Sequence, residues 1–410
     1  MAAERSRAAA SLWVAYAIVF IAFTDNFSML PTIGPYTQHL GGTALAMGVA
    51  VAAYSASNLL FNVLGGVLLD RAGRRRLLLL GLAVASLSMA AYAGAGTVSN
   101  LLLIRLLHGA AGGILVPAVF TMIADVAPLT QRSQAMGRAG ALIGSAAVIA
   151  PAMAGGLRQA AGFNAVFYVG ALLLAIGFVA ATFKMPETRR PGEQEGTPAG
   201  QEPEAGAMPA GGLAAPYWGI FILTFTMGTL TAFLPRTVES LGYQAGVTGL
   251  MFTAFGLMAA FVMMSALAQT VDRRGLLPPT GWGLALAAVS LAILGVADHI
   301  GWILAACTLF GFGYGLIFPA TSGQVARIAR ATGRGRAFGV YYAIFSLGVI
   351  AGAPAGGLFQ SGAPLVGSPY FPAFLASMAG IAVLAALVRW LPGEEGPPAA
   401  AAASCQPLRR

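Results

Sequence analysis

The chain contains twelve long apolar runs, separated by shorter polar stretches. An α-helix needs about 20 apolar residues to cross the hydrocarbon core of a bilayer. The runs cover residues 11–34, 44–69, 76–96, 99–125, 133–157, 163–184, 216–235, 245–270, 277–297, 301–329, 335–359 and 370–391. A β-barrel would instead show alternating segments of about 10 residues. We therefore expect an all-α integral membrane protein with twelve transmembrane helices.

The composition supports a lipid environment, because 58% of the 410 residues are hydrophobic and only 9% are charged. A soluble domain carries about 25% charged residues. The two cysteines, Cys307 in an apolar run and Cys405 near the end of the sequence, do not predict a disulfide framework. The first run is too long for the apolar part of a signal peptide, so we expect it to be a retained helix.

The net charge of +9 follows from where the basic residues lie. If the N-terminus is cytoplasmic, twelve spans place all but three of the 23 Lys and Arg residues on the cytoplasmic side. The exceptions are Arg158 and Arg236, which fall outside, and Arg105, which falls within a span. This asymmetry is typical of the positive-inside rule. We expect a multi-pass protein of the cell (inner) membrane with both termini cytoplasmic, and no nucleic-acid partner.

One long polar segment, residues 186–212, is rich in Pro, Gly and Glu and predicts a flexible cytoplasmic linker. It divides the spans into two groups of six. The expected organisation is an N-terminal six-helix bundle over 1–185, the linker, a C-terminal six-helix bundle over 213–393, and a cytoplasmic tail over 394–410.

The two groups of spans match at an offset of 202 residues, which indicates an internal duplication. The matched pairs are Asp70/Asp272, Arg71/Arg273, Gly73/Gly275, Gly109/Gly311, Gly113/Gly315, Pro117/Pro319, Arg132/Arg334 and Gly137/Gly339. Because six is an even number of spans, the two copies have the same orientation in the membrane. Parallel repeats of this kind place a substrate site between the halves near the midplane, with alternating access to it.

Four segments resemble motifs of the major facilitator superfamily. They are Gly66-x-Leu68-Leu69-Asp70-Arg71-x-Gly73-Arg74-Arg75-x-x-Leu78, Leu101-x-x-x-Arg105-x-x-His108-Gly109, Ala146-x-x-x-Ala150-Pro151-x-x-Ala154-Gly155 and Pro186-Glu187-Thr188-Arg189. The third is similar to the glycine-proline motif of the 12-span drug:proton antiporters, with alanine in place of three glycines. The resemblance spans essentially the whole chain. It implies two parallel-repeat six-helix bundles and favours the antiporter branch.

The resemblance also implies a gating latch that joins the halves and breaks during transport. In the family the aspartate of the first of these segments lies against the start of helix eleven. An arginine of the same segment pairs with an acid at the end of helix four. The positions in this chain are Gly66, Asp70, Arg71, Gly73, Arg74, Asp125, Arg132, Asp272, Arg273 and Gly275. The alternative is that these arginines only set orientation. Helix-packing positions are expected at Gly109, Gly113, Pro117, Pro151, Gly155 and Pro354.

Three ionisable residues fall deep within predicted spans of the first half, where such residues are rare and costly. Asp25 lies about 21 Å along its span, and His108 lies about 13 Å below the outer face, so the two come out at about one depth. Arg105, one turn above His108, shares its helix face. We expect a proton-binding site in which Arg105 keeps Asp25 ionised. A permanent structural ion pair, with His108 as a packing residue, is the alternative.

Other polar and aromatic side chains are candidates for contact with substrate. Tyr54, Asn58 and Asn62 recur every four residues and face either the central cavity or helix eleven. Tyr314 belongs to an aromatic row on helix ten, for which core packing or lipid contact is the alternative. The charged groups thus gather in the first half, and the second half is apolar and aromatic.

These observations predict a secondary active transporter that exports amphipathic, lipophilic small molecules in exchange for protons. We expect no catalytic residue, no metal, no cofactor other than the coupling proton, and a monomer in the lipid bilayer. A metabolite uptake symporter or uniporter of the same fold remains an alternative, as does a membrane receptor or scaffold that transports nothing. No phosphate loop or metal-ligand spacing favours an enzyme.

Overall fold

The protein is helical throughout the part of the chain that the computed structural model describes, which is residues 2–127, 132–187, 210–265, 276–328, 334–359 and 366–390. The predicted linker and tail lie almost entirely outside these residues. Twelve helices are assigned: α1 Ala2–Ser28, α2 Ile33–His39, α3 Ala44–Ala72, α4 Arg74–Tyr92, α5 Val98–Val126, α6 Arg132–Lys184, α7 Ala210–Ser240, α8 Ala245–Met264, α9 Leu277–Val296, α10 Ile300–Ile328, α11 Arg334–Leu358 and α12 Phe371–Trp390.

Ten of the described helices are long and apolar enough to cross a membrane, and one of these is a double span. Helix α6 has 53 residues, more than twice the length that one crossing needs. It is interrupted at Gly162, whose φ of +79° is left-handed and easily adopted only by glycine. The shorter apolar helix in α12 completes the set of twelve spans. The predicted all-α architecture is therefore confirmed.

The first predicted run, residues 11–34, is wrong at its far end. Helix α1 stops at Ser28, and residues 33–39 form the separate short helix α2. The side chains of Thr32, Ile33 and Tyr36 on this segment are buried. Hydrophobicity alone did not mark the end of α1, because the residues that follow it, Met29, Leu30 and Pro31, are also apolar.

Successive spans run in opposite directions, so the ends of the helices lie at two faces of the bundle. We call the face that holds the α3–α4 turn at Gly73 the hairpin face, and the face that holds α2 the opposite face. Helix α1 packs on α6, α3 on α5, and α4 on α5 and α6 in the first half. In the second half α7 packs on α11, α9 on α10 and α12, and α8 on α10. The halves meet where α3 packs on α11, α6 on α8, and α2 on α7.

The described contacts between the halves lie toward the opposite face. A Cβ added at Gly155 of α6 would lie 2.7 Å from the Ala245 carbonyl oxygen of α8. One added at Gly357 of α11 would lie 2.6 Å from the Ala44 carbonyl oxygen of α3. By contrast, a Cβ at Gly137 or Gly144, nearer the hairpin end of α6, would meet no atom within 4 Å. The halves are therefore closed together at the opposite face and separated along the hairpin-side part of α6.

Candidate functional site

A buried acid and a buried histidine form the centre of the candidate site. Asp25, three residues before the end of α1, is 6% exposed, and His108, in the middle of α5, is 1% exposed. The His108 Nε2 atom lies 2.8 Å from Asp25 Oδ2. The two residues therefore lie at one depth, as the positions of their spans predict.

The other ring nitrogen of His108 is held by Tyr92, the last residue of α4. The Tyr92 hydroxyl lies 3.2 Å from His108 Nδ1, and Tyr92 is completely buried. In the neutral imidazole the two nitrogens have different roles. With Nε2–H donating to the Asp25 carboxylate, Nδ1 accepts from the Tyr92 hydroxyl. The sequence contained no signal for Tyr92, because a tyrosine at the end of a span is common.

One carboxylate oxygen at this site has no partner. Asp25 Oδ1 is buried and makes no hydrogen bond to any described residue. Buried polar atoms are nearly always satisfied, so an exception of this kind is a candidate for function. It is the position at which a proton, or a hydrogen-bond donor of a ligand, can attach.

Arg105 does not pair with Asp25, which corrects the expectation that it holds the acid ionised by direct contact. Among the described ion pairs of the first half, the partner of Asp25 is His108. Arg105 Nε instead donates to the Ala50 carbonyl oxygen of α3 at 2.9 Å, and its guanidinium lies 4.7 Å from the centroid of the Tyr54 ring. A cation above an aromatic face is attracted by the ring quadrupole.

Tyr54 joins these groups together. Its ring stands edge-on to His108 at 5.3 Å and faces Arg105 on α5. Its hydroxyl accepts a hydrogen bond from Asn26 Nδ2 of α1 at 3.3 Å. Helices α1, α3, α4 and α5 thus all contribute to one buried polar cluster, which we call the Asp25 cluster: Asp25, Asn26, Tyr54, Tyr92, Arg105 and His108.

The next residue of the α3 stripe, Asn58, contacts α5, a neighbour that the sequence did not predict for it. Asn58 Nδ2 donates to the Gly109 carbonyl oxygen at 3.4 Å, and Asn62 Nδ2 donates to Asn58 Oδ1 at 2.7 Å. Close approach of α3 to α5 requires glycine on α5, since a Cβ at Gly113 would lie 2.7 Å from the Asn58 carbonyl oxygen. Asn62 is exposed, on the hairpin side of the cluster.

The aromatic row of the second half lies apart from this cluster. Tyr314 of α10 stacks on Phe318 at 5.9 Å and meets Phe255 of α8 edge-on at 5.5 Å. No described contact joins Tyr314 to Asp25 or His108. Among the described residues, Tyr314 packs against each of two separate hydrophobic clusters, one of which consists of second-half residues.

The gating-latch residues are described only in part. Arg74, at the start of α4, forms an ion pair and a hydrogen bond with Asp125, near the end of α5. Helix α3 contains Gly66, Asp70 and Arg71, and α6 begins at Arg132, but their side chains are not described. Asp272, Arg273 and Gly275 lie outside the described residues.

Glu187, which follows α6, contacts the α3–α4 hairpin and was not included in the latch prediction. Its carboxylate accepts from the backbone N–H groups of Arg74 at 3.0 Å and Arg75 at 3.3 Å, where the first turn of α4 attracts an anion. The Arg75 side chain donates back to the carbonyl oxygens of Met185 and Thr182 at 2.7 and 2.6 Å. The Pro186–Arg189 motif was the available signal.

The packing residues occupy helix contacts in most cases. Pro117 lies inside α5, Pro151 inside α6 and Pro354 inside α11. The Pro151 carbonyl oxygen and the Pro354 backbone face glycines of the other half, at Gly249 and Gly48 respectively. Gly109 lies against the Tyr54 backbone.

A sequence profile described as Major Facilitator Superfamily matches residues 15–333 and, in a second match, 216–409. The chain belongs to the major facilitator superfamily. Its curated relatives in this superfamily include the quinolone resistance protein NorA of Staphylococcus aureus (strain MRSA252), 24% identical over 386 residues, which are 91% of this chain and 95% of NorA. Multidrug resistance protein 2 of Bacillus subtilis (strain 168) is 33% identical over 173 residues, 42% of each chain.

Solved structures show the same fold at low identity. A bacterial homolog of the human lysosomal transporter Spinster, in an inward-facing and occupied conformation, has a TM-score of 0.76 and 15% identity over 92% of this chain and 94% of its own. The peptide transporter POT in complex with sulfate has a TM-score of 0.74 and 15% identity over 92% of this chain and 95% of that one. The protein is thus a multi-pass membrane transporter with the major facilitator fold.

Proposed function

We propose that this transporter exports amphipathic, lipophilic small molecules from the cell and exchanges them for protons at the Asp25 cluster. The observation that carries the proposal is the buried contact between His108 and Asp25, with one oxygen of Asp25 left without a partner. An intramembrane acid of this kind is a functional site by default, and a paired histidine gives it a titratable neighbour.

The cluster can accept one proton with little rearrangement. In the form with a neutral histidine, His108 Nε2–H donates to Asp25 and Tyr92 donates to Nδ1. A proton added to the pair occupies either Asp25 Oδ1 or His108 Nδ1, in which case Nδ1–H donates to the Tyr92 oxygen. Because the two groups are in direct contact, the proton belongs to the pair rather than to one residue. We therefore expect one proton for each transport cycle.

Arg105 supplies a fixed positive charge beside the pair. It is 5% exposed and hydrogen-bonded to the α3 backbone, so its positive charge stays in place when the proton binds or leaves. A permanent cation in a low-dielectric site acts over several ångströms without contact. In the proposed cycle it balances the ionised form of Asp25 after the proton has left.

The orientation follows from the basic residues. Arg74, Arg75 and Arg76 begin α4 at the hairpin face, and Arg132 begins α6 there. Under the positive-inside rule we assign the hairpin face to the cytoplasm. Since the halves are separated along the hairpin-side part of α6, we infer an inward-facing state that takes substrate from the cytoplasm.

The substrate class is supported by the second half and by the relatives. The described spans of that half present aromatic and apolar side chains such as Phe255, Tyr314 and Phe318, with no buried charged side chain. A sugar or a polyanion would require many hydrogen bonds or additional cations. The names of the relatives, quinolone resistance and multidrug resistance, point to the export of drug-like molecules.

Transport in proteoliposomes with an imposed pH gradient tests the proposal, with a fluorescent lipophilic dye as the probe. We expect wild-type protein to accumulate dye against its gradient, and Asp25→Asn to lose this accumulation, because the amide cannot bind and release a proton. Asp298→Asn is the matched control, since Asp298 is exposed in the short α9–α10 connection. Normal accumulation by Asp25→Asn would contradict the coupling site.

The uptake alternative is supported by the alanines of α6, because Ala146, Ala150 and Ala154 stand where the antiporter motif has glycine. All three are fully buried, so the packing of this helix differs from that of the motif. The same assay separates the two functions. Dye that moves together with protons, rather than against them, would favour a symporter, and movement independent of the pH gradient would favour a uniporter.

A further inference from the structure

We propose that Arg158 and Glu239 form a charge lock that holds the opposite face closed and must part before that face can open. Arg158 lies in α6, four residues before Gly162, and Glu239 lies in the last turn of α7. The two residues therefore belong to different halves of the transporter. The proposal rests on the alternating halves of the fold and not on proton coupling.

The lock is geometrically tight and partly shielded. Arg158 Nη1 lies 2.5 Å from Glu239 Oε1, and the two side chains are 12% and 30% exposed. The other ion pairs among the described residues, Arg74 with Asp125 and His108 with Asp25, each lie within the first half. In the described part of the chain, Arg158–Glu239 is the ion pair that joins the halves.

Arg158 also fixes the connection that leads into α2. The same Nη1 atom donates to the Pro31 carbonyl oxygen at 3.3 Å, and the guanidinium lies 4.5 Å from the centroid of the Phe163 ring. Helix α2 in turn packs on α7, where a Cβ at Gly34 would lie 2.6 Å from the Ala232 carbonyl oxygen. One guanidinium thus connects α6, the start of the α2 segment and the end of α7.

Two described hydrogen bonds near the lock also join the halves, and both are between neutral groups. Gln159 Oε1 accepts from the Gly246 N–H at 3.2 Å, and Thr253 Oγ1 donates to the Val148 carbonyl oxygen at 2.8 Å. Water replaces such hydrogen bonds at little net cost when a face opens. A charge-assisted bond is roughly twice as strong as a neutral one, so the lock has the larger influence on the equilibrium.

A cavity of about 500 Å³ adjoins the lock and is lined by both halves. Its charged and polar walls are His39, Gln38 and Arg158 from the first half and Arg236, Glu239 and Ser240 from the second. When the halves rock apart, this cavity must split along the line between Arg158 and Glu239. Solvent then reaches both charges, which lowers their attraction. Once the two side chains have parted, little attraction between them remains to oppose opening, so the gate can open reversibly.

Cysteine labelling at the closed interface tests the lock. The reporter is Ala232→Cys, in a background with Cys307→Ala and Cys405→Ser, because Ala232 is fully buried beneath α2. A membrane-impermeant maleimide is applied to right-side-out and to inverted vesicles, so the result does not depend on which face is outside. The vesicles carry no proton gradient, so failure of proton coupling leaves the labelling readout intact.

We expect Glu239→Gln and Arg158→Gln each to raise the labelling rate from the opposite face by roughly three- to tenfold. A change of this size matches the stabilisation that a partly exposed, charge-assisted ion pair provides. The double variant Arg158→Glu with Glu239→Arg restores the pair, though not the contacts of Arg158 with Pro31 and Phe163, and should bring labelling below the rate of either single variant. Asp298→Asn, an exposed acid at the same face, leaves it unchanged.

Two results would overturn the proposal. Unchanged labelling in both single variants would mean that the pair contributes nothing to closure. Increased labelling that the reversed pair fails to reduce, in protein that elutes as a single folded species, would assign closure to side-chain shape rather than to charge. The milder Glu239→Asp variant, which keeps the charge, separates these cases if a reversed pair does not fold.

Discussion

His108 is held at both ring nitrogens, and this separates it from a histidine that merely fills space. Asp25 lies at Nε2 and Tyr92 at Nδ1, with Tyr54 edge-on to the ring. Arg105 and, near the end of the helix, Asp125 are the other charged groups on α5, and of these Arg105 lies one turn from His108. The elements packed around His108 thus supply an acid from α1 and phenols from α3 and α4. Tyr92 fixes the ring orientation without touching Asp25, so it is a positioning residue.

Tyr92→Phe removes the hydroxyl group but keeps the packing of the ring. A hydrogen bond from the imidazolium to Tyr92 is stronger than one to the neutral ring, so its loss disfavours the proton-loaded form. We expect the variant to transport, with its pH profile displaced to lower pH relative to wild type. The measurement is dye transport against pH. Tyr168→Phe, a change at an exposed tyrosine of α6, is the control and leaves the profile unmoved.

Contacts between helices depend on where glycine permits close approach. Helices α3 and α5 meet along Gly109, Gly112 and Gly113, which lie against the backbone or side chains of Tyr54 and Asn58. The same face of α5 carries Arg105 and His108 to the α3 carbonyl at Ala50 and to the Tyr54 ring. Close packing of these two helices therefore brings Arg105 and His108 within contact distance of the α3 residues of the Asp25 cluster.

Gly113→Ala tests this contact, because the added Cβ would lie 2.7 Å from the Asn58 carbonyl oxygen and 2.9 Å from Phe61 Cβ. We expect a loss of stability of about 1–3 kcal/mol from overpacking, together with reduced transport. Thermal unfolding in detergent measures the first effect. Gly137→Ala adds the same methyl group where nothing lies within 4 Å, so it should leave the melting temperature equal or slightly higher. Equal destabilisation by both changes would contradict the packing argument.

At the scale of the whole molecule, the two ends of α6 have different environments. Gly155 packs against Ala245 and Gly249 of the other half, whereas Gly144 meets no atom within 4 Å of an added Cβ. In a transporter built from parallel repeats, one half rocks against the other around a fixed site. Positions that are apart in this state on the hairpin side therefore come together when the opposite face opens.

Bulky residues on α6 should shift this equilibrium in opposite directions. Gly155→Leu obstructs closure of the opposite face and should increase labelling of the Ala232→Cys reporter. Gly144→Leu is accommodated here and obstructs closure of the hairpin face, so labelling should fall below the wild-type rate. Both changes should slow transport, since each disfavours one state of the cycle. Labelling that moves in the same direction for both variants would contradict the rocking motion.

The sequence by itself determined the twelve spans, their two groups of six, the superfamily and the common depth of Asp25 and His108. These follow from hydrophobic length, repeat offset and rise per residue, which are local or periodic properties of a chain. Only the tertiary structure decided that His108 rather than Arg105 meets Asp25, and that Tyr92 completes the contact. It also decided that Glu187 caps α4 and that Arg158 pairs with Glu239 across the halves. Each of these pairings depends on how helices distant in sequence are rotated and spaced, and hydropathy carries no information about that.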